Sequence, residues 1–315
     1  MRGLILIKYH LTMGHLPMDA ANGKGPSLTT VTASSRALAV AALQETVPRL
    51  SQLLRSVTDP RRRAVGHWSI GETAAHLTAV TVLDSSWARG GRPEPGPWRE
   101  LFDRASTTTL DQVSEINALT MVCEPERDPR VLAARIEQEA DRLVEALAAG
   151  ASSEVGEEVS WLAGIGTSPT GVVGHLLSEM LVHGMDMARA EGRSFPIPPA
   201  PARPFFETFF LDALQSPAVS RFASERNGDG GELRWELRLR GAQPVQLVFG
   251  PGRLAVDRTA ARAPDVRISA DPGVMLLVMF RRIGPLAPML RRRLVVSGRR
   301  PWKLRRLMRL LQMPA

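Results

Sequence analysis

The chain has 315 residues, of which 44% are hydrophobic and 23% charged. This composition is that of a globular protein and excludes disordered, collagen-like and disulfide-rich classes. The longest apolar runs, such as Val274–Phe280, are far shorter than the roughly 20 residues of a membrane span. Domains typically hold about 100–200 residues, so the length predicts two domains. Cys123 is the only cysteine, which excludes an internal disulfide. With no recognisable signal peptide, it favours a reducing cytoplasm.

The formal net charge of +8 comes from one end of the chain. Residues 281–315 hold 11 Lys and Arg and no acid, which leaves 29 bases against 32 acids in residues 1–280. Such an Arg-rich C-terminus allows weak contact with anionic lipid. Nucleic acid is the least favoured partner, because neither a recognition helix nor stacking aromatic residues accompany the charge. A solvated face is the favoured interpretation, with apolar residues turned inward at Leu304, Leu307, Met308 and Leu311.

Residues 1–33 show little periodicity and are expected to form a loose N-terminal tail, in which Met18 offers a second start. Apolar residues recur at helical spacing from 34 to 57. Ser69 and Glu72 fit a capping box, which predicts a second helix toward Trp87. Further helical patterns predict an all-α four-helix bundle over residues 34–192. These patterns cover 98–122, Asp128-Pro129 to Gly150, and Ser168-Pro169 to Ala190.

A proline-dense stretch at 193–204 cannot continue a helix and is predicted to be a linker. After one helix near 204–223, apolar and charged residues alternate over 233–240, which indicates a strand. Residues 205–315 are therefore predicted to form a small α+β domain. Its further strands are expected at 245–249, 254–256, 266–268 and 294–296, with helices after Asp271-Pro272 and from Pro301 to Leu311.

A cluster of imidazoles and carboxylates is the strongest functional pattern. His175, Glu179 and His183 are four residues apart, so they share one face of the last bundle helix, with Asp186 nearby. Such groups are costly to bury unless something pairs with them, and a divalent metal would do so. His76 on the second helix is the natural third ligand, giving an open site with three protein ligands. The alternative is that each histidine is an ordinary core residue.

Two segments around these residues resemble a known family. Residues 68–77, which end in His76-Leu77, and residues 179–186, which run from Glu179 to Asp186, are similar to the metal-binding motifs of the mycothiol-dependent maleylpyruvate isomerase family. That family belongs to the DinB-like four-helix bundles. The resemblance covers residues 35–190 and implies His76, Glu179 and His183 as ligands of a divalent metal, with zinc expected. Residues 264–271 and 294–298 resemble, more loosely, a sterol-carrier-protein-type domain.

Two residues beside the expected ligands have other predicted roles. His175 departs from the family pattern, and we expect it to face the bound cofactor or substrate, although ligation of the metal stays open. Asp186 is a candidate for orienting His183 from the second shell. Outside this cluster, Cys123 is predicted to be a small buried residue and not a nucleophile. Trp68 and Trp161 can line a pocket mouth, although packing is their commoner role.

The resemblance implies a metal-dependent enzyme that uses a low-molecular-weight thiol, mycothiol in the family. Thiolate addition and elimination on a small activated substrate would make it an isomerase, and displacement of a leaving group would make it a thiol transferase. The alternative is a lipid- or acyl-binding protein in which the C-terminal domain supplies an apolar cavity. In that case the metal is structural or absent, and the apolar helix at Val274–Phe280 lies beside the Arg-rich surface.

Overall fold

The structure, a computed structural model, describes residues 33–109, 112–149, 158–217, 219, 231–250, 253–257 and 262–310. Outside them lie the predicted tail up to residue 32, with Met18, and the predicted helix ends at Gly150 and Leu311. No helix among the described residues is both long and apolar enough to cross a membrane. The fold class agrees with the prediction, because a helical bundle is followed by an α+β part with a five-stranded sheet.

Four long helices form the bundle, and each of α1 and α2 packs against both α5 and α6. Two shorter helices, α3 and α4, pack on each other and on α2. The predicted helix at 98–122 is thus two helices, one ending at Thr107 and the other beginning at Val113. The bundle helices are α1 (Ala33–Arg55), α2 (Ile70–Ala88), α3 (Pro97–Thr107), α4 (Val113–Cys123), α5 (Pro129–Ala149) and α6 (Pro169–Ala190).

Both helices that carry the candidate histidines begin at a side-chain cap. Ser69 Oγ accepts a hydrogen bond from the Glu72 amide, and the Glu72 carboxylate accepts one from the Ser69 amide at 2.8 Å. Ser168 Oγ accepts one from the Gly171 amide at 3.0 Å. These caps satisfy amides of the first turn that have no partner within the helix. They therefore mark where α2 and α6 begin.

Two short antiparallel hairpins, which the sequence did not predict, precede these helices. One pairs β1 (Arg63–Val65) with β2 (Trp68–Ser69), and the other pairs β3 (Val159–Trp161) with β4 (Ile165–Thr167). Strands of two or three residues are too short to show a clear alternation of apolar and polar positions. The hairpins bring Trp68 and Trp161 to the same cavity.

The expectation that the prolines at 199–204 exclude a helix is wrong. Residues Pro199–Pro204 form α7, a π-helical turn follows at Phe205–Phe210, and α8 covers Leu211–Gln215. Pro199 occupies the first helical position, where a missing amide hydrogen costs nothing because that amide has no partner within the helix. This segment packs closely on α6, since a Cβ at Gly174 would lie 2.8 Å from the Pro204 carbonyl oxygen.

The sheet has the strand order β7-β6-β5-β8-β9, and only β5 and β8 are parallel. One face is apolar and packs toward the helices, where the Phe210 and Trp235 rings lie 6.5 Å apart. The strands are β5 (Leu233–Leu239), β6 (Val245–Gly250), β7 (Arg253–Asp257), β8 (Val266–Ala270) and β9 (Leu294–Ser297). The helices are α9 (Pro272–Met279), α10 (Leu286–Leu290) and α11 (Leu304–Leu310), with a 3₁₀ turn at Pro301–Lys303.

The helix that begins at Asp271-Pro272 joins the two parts of the molecule. Residues Val274, Met275 and Leu276 of α9 are buried, and α9 packs against α6 and α7. Immediately after it, Arg282 reaches back to Asp186 on α6. The α+β part therefore contacts the bundle beside the candidate histidines.

Candidate metal centre

The structure brings together His76 of α2 with Glu179 and His183 of α6. One possible ligand atom from each residue lies within 4.8 Å of the other two. Glu179 Oε2 is 3.2 Å from His183 Nε2 and 3.7 Å from His76 Nε2. Both histidines are buried, and 16% of the Glu179 side chain is exposed. Two imidazoles and one carboxylate are a donor set suited to zinc, and three protein ligands leave a position open.

Thr120 on α4 determines which nitrogen of His76 is free to bind a metal. Its hydroxyl donates a hydrogen bond to the Asn117 carbonyl at 2.6 Å. Its oxygen can therefore only accept a hydrogen bond from His76 Nδ1, which lies 3.1 Å away. Nε2 then keeps its lone pair and points toward Glu179. Hydrogen bonds of this kind orient metal-binding imidazoles. No sequence pattern indicated Thr120, because it lies on another helix.

Asp186 lies 3.4 Å from His183 Nδ1, an ion-pair distance without hydrogen-bond geometry. Its carboxylate is held by Arg282, whose Nε lies 2.9 Å from both oxygens and whose Nη2 lies 2.8 Å from one of them. The predicted orienting residue of His183 is therefore itself oriented by an arginine from the α+β part.

His175 stands one helical turn before Glu179 and outside the group of three. Its Nδ1 is 2.7 Å from Asp84 Oδ2, and its Nε2 is 3.6 Å from Glu179 Oε1. Asp84 is 1% exposed and also accepts a hydrogen bond at 2.9 Å from Trp161 Nε1. Sequence reasoning missed Asp84, although it lies two turns after His76 and so on the same face of α2.

The charges of these groups follow from burial and from their neighbours. Burial lowers the pKa of His76 below its ordinary value. Burial also lowers the pKa of His183, but Asp186 and Glu179 on its two sides raise it to about 9. For Glu179, burial raises the pKa, but His183 and His76 outweigh it and hold the pKa well below the usual range. A proton on His183 is thus stabilised by the same carboxylates that would favour a cation.

A cavity of about 420 Å³ adjoins the three residues. Trp68 and Trp161 line it, and the ring centroids of Trp68 and His76 lie 4.9 Å apart. Most of its other walls are apolar, and His175 and Arg282 also face it. The apolar lining comes from Val65, Val80, Leu83, Trp87, Val113, Ile116, Leu162 and Phe280.

Cys123 lies away from this cavity, in an open groove with Glu124, Arg135 and Glu139. It is half-buried, and its Sγ contacts the Pro97 carbonyl oxygen at 3.4 Å. Burial raises the pKa of its thiol, which disfavours the reactive thiolate. These properties agree with the prediction that Cys123 is not a nucleophile.

The described arginines of the basic segment are partly neutralised. Arg293 and Arg300 pair with Asp271 and Asp265, in addition to the pair between Arg282 and Asp186. Leu307 is fully buried, as expected for the inward face of the terminal helix, and Leu304 is half-buried. The side chains of Met308 and Leu311 lie outside the described residues.

Comparison with known proteins gives two similarities. No curated protein matches the chain. A crystal structure of the mycothiol-dependent maleylpyruvate isomerase is 14% identical, with a TM-score of 0.43, and the match covers 77% of this chain and 87% of that chain. A histidine-to-alanine mutant of that isomerase is 13% identical, with a TM-score of 0.44 and the same coverage. Residues 229–312 match the model of the SCP-2 sterol transfer family, the domain type that the C-terminal motifs resemble.

Proposed function

We propose that the chain is a metal-dependent enzyme that uses a low-molecular-weight thiol, of the kind named in the mycothiol-dependent isomerases. The observation that carries this proposal is the convergence of His76, Glu179 and His183 beside a cavity of substrate size. Among the described residues, imidazoles and no arginine lie against Glu179, so a divalent metal would complete its neutralisation. His76 Nε2, a Glu179 oxygen and His183 Nε2 would hold the ion, with zinc the expected metal.

A metal in such a site lowers the pKa of a thiol and polarises a carbonyl, so that thiolate is present at neutral pH. The chain's own residues supply the rest. Thr120 keeps His76 Nε2 free for binding, and the tryptophans give the cavity an apolar wall beside the three residues. His175, held by Asp84, faces the cavity and would contact the bound thiol or substrate. Addition and elimination of the thiolate gives isomerisation, whereas displacement of a leaving group gives thiol transfer.

Metal analysis of the purified full chain tests this proposal. We expect about one zinc per chain in the wild type and its loss in His76→Ala and His183→Ala. His67→Ala is the matched control, because His67 lines the same cavity but is exposed and outside the group of three. Circular dichroism checks that each variant is folded. A wild type that binds no divalent metal contradicts the proposal, and so does His67→Ala losing as much metal as the other two.

A second candidate function is binding to lipid through the C-terminal part, which its similarity to a sterol transfer family favours. The observation that supports it is an exposed apolar and basic surface on α10. Leu286 and Leu290 are 75% and 86% exposed. Arg291 and Arg292 follow directly and have no ion-pair partner among the described residues. Apolar side chains beside cations suit an anionic membrane surface. The predicted lipid surface was the apolar helix at Val274–Phe280. The exposed surface is instead on α10, because α9 is largely packed against the bundle.

Co-sedimentation with phosphatidylcholine vesicles, with and without phosphatidylglycerol, tests the second candidate. We expect binding only to the anionic vesicles and its loss in Leu286→Ser/Leu290→Ser. Val122→Ser is the matched control, because Val122 on α4 is 74% exposed but lies on the bundle. Equal binding to both kinds of vesicle, or to neither, contradicts lipid binding at this surface.

A further inference from the structure

Large apolar side chains form a continuous part of the cavity wall. Trp87 and Trp161 are each 6% exposed, and their ring centroids lie 6.0 Å apart. Ile116 on α4 and Phe280, which follows α9, line the same space. A cavity of about 420 Å³ is large enough for a substituted aromatic ring. These walls favour a ligand that presents a flat apolar body.

The charged groups of the cavity are already paired. Among the described residues that line it, Arg282 is the only lysine or arginine. All three guanidinium nitrogens of Arg282 are engaged, because Nε and Nη2 contact Asp186 and Nη1 donates to the Phe280 carbonyl at 2.9 Å. The gaps at 110–111 and 150–157, near the lining residues Val113 and Trp161 in the sequence, contain no lysine or arginine.

A ligand with two carboxylates would therefore find no unpaired lysine or arginine among the described lining residues, and the imidazole of His175 is already paired with Asp84. The group formed by His76, Glu179 and His183, with a metal bound, offers a position for one donor atom. A second carboxylate would leave water for an apolar wall, and such a transfer costs several kcal/mol unless a cation compensates.

Resting on the proposed function, we infer that the substrate is a molecule with an uncharged apolar or aromatic body, such as a neutral ester or ketone, and not a dicarboxylate. Its carbonyl or its single anionic group would lie toward the three converging residues. Its body would lie against the tryptophans and aliphatic side chains that line the cavity. The chain would thus apply thiol chemistry to a substrate of different charge from the dicarboxylate maleylpyruvate.

This inference is tested by comparing the binding of three ligands that share one aromatic ring but differ in net charge. The probes are dimethyl phthalate, monomethyl phthalate and phthalate, which are uncharged, singly charged and doubly charged at neutral pH. Calorimetry and the fluorescence of the cavity tryptophans would measure the dissociation constants on the full chain, with zinc and after its removal. We expect the diester to bind about tenfold or more tightly than phthalate. Equal or tighter binding of phthalate, or no binding of the diester, overturns the inference.

Two variants test whether the ligands bind in this cavity. Asn117 on α4 lines the cavity and is half-buried, so Asn117→Arg would supply the missing cation and tighten phthalate binding by about tenfold. Ala118→Arg is the matched control, because Ala118 is the exposed neighbour on the same helix and does not line the cavity. Val113→Trp would fill the cavity and weaken the diester by a similar factor. Unchanged preferences in Asn117→Arg and Val113→Trp overturn the assignment to this cavity.

The zinc content of each variant separates this inference from the proposed function. If the wild type binds the diester preferentially but holds no metal, the enzyme proposal fails while the cavity assignment stands. If zinc is bound and phthalate is preferred, the proposed function stands and the substrate class is wrong.

Discussion

Two buried carboxylates, Glu179 in the bundle and Glu236 in the sheet, have opposite surroundings. Glu236 is 2% exposed and accepts hydrogen bonds from Arg238, from Arg267 Nε at 2.6 Å and from Gln246 Nε2 at 3.3 Å. Burial raises its pKa, but these donors outweigh burial and lower the pKa overall. The charged partners of Glu179 in the described part of the chain are all imidazoles. Glu236, between guanidinium groups, has its partners within the fold, whereas we propose that Glu179 and the imidazoles around it share a metal cation.

The largest expected difference between the two carboxylates is the response to zinc. A ligand present at a thousand times its dissociation constant stabilises the folded state by about 4 kcal/mol. We expect such a gain in the free energy of unfolding of the wild type and its reversal by a chelator. Glu179→Ala should show no gain, whereas Glu236→Gln should keep it. Urea unfolding with and without zinc measures this, and a gain that survives in Glu179→Ala would contradict the site.

The next effect concerns Thr120, the hydrogen-bond partner of His76. Loss of such a partner typically weakens metal affinity about 10- to 100-fold, so we expect Thr120→Val to do so. Thr81→Val is the matched control, because Thr81 is equally buried and its hydroxyl donates to the Leu77 carbonyl, away from the site. Competition with a zinc-binding dye gives the affinities. Equal losses in both variants would show that the effect is only structural.

At Glu236 we expect a stability effect without a metal effect. Glu236→Gln should lower the free energy of unfolding by about 2 kcal/mol at pH 7, since Arg238 and Arg267 are partly exposed and remain partly solvated. The pKa of Glu236 is lowered in the folded state, so its stabilisation is present at neutral pH and is lost as the pH falls through that pKa. The difference from wild type should therefore shrink below about pH 4. Urea unfolding across this pH range measures it.

The smallest effect is expected at the start of α2. Ser69→Ala removes the cap that the Glu72 amide uses and should cost about 1 kcal/mol of stability. Zinc affinity should change little, because His76 lies nearly two turns further and is held by packing. Ser69→Asp, which can also accept this hydrogen bond, should restore most of the stability. A large loss of zinc affinity in Ser69→Ala would mean that the cap controls the position of His76.

Much of the candidate site was visible in the sequence because its information is local. The four-residue spacing of His175, Glu179 and His183 aligns them on any helix, and the caps at Ser69 and Ser168 mark the helices that carry them. Which of these groups act together was not visible. The structure groups Glu179 and His183 with His76, whereas it pairs His175 with Asp84. That division depends on how α2 and α6 cross.

Other features of the structure were not predicted from the sequence, either because they depend on tertiary contacts or because a local pattern indicated a different structure. The hairpins at Trp68 and Trp161 are too short for a periodic pattern. The prolines at 199–204 were interpreted as breaking a helix, although they occupy an early part of one that packs on α1 and α6. Arg282 counted only as part of a basic segment, and its pairing with Asp186 requires contact between the two parts of the chain.

The sequence by itself determined the two-part architecture and the helix faces, because hydrophobic periodicity and side-chain caps act over a few residues. It also determined the net basic C-terminus. Only the tertiary structure decided that Thr120 orients His76, that Asp84 holds His175, and that Asp186 uses the one cavity arginine among the described lining residues. Such pairings join residues that are distant in the chain, and packing between helices, which no local pattern encodes, sets the distances between them.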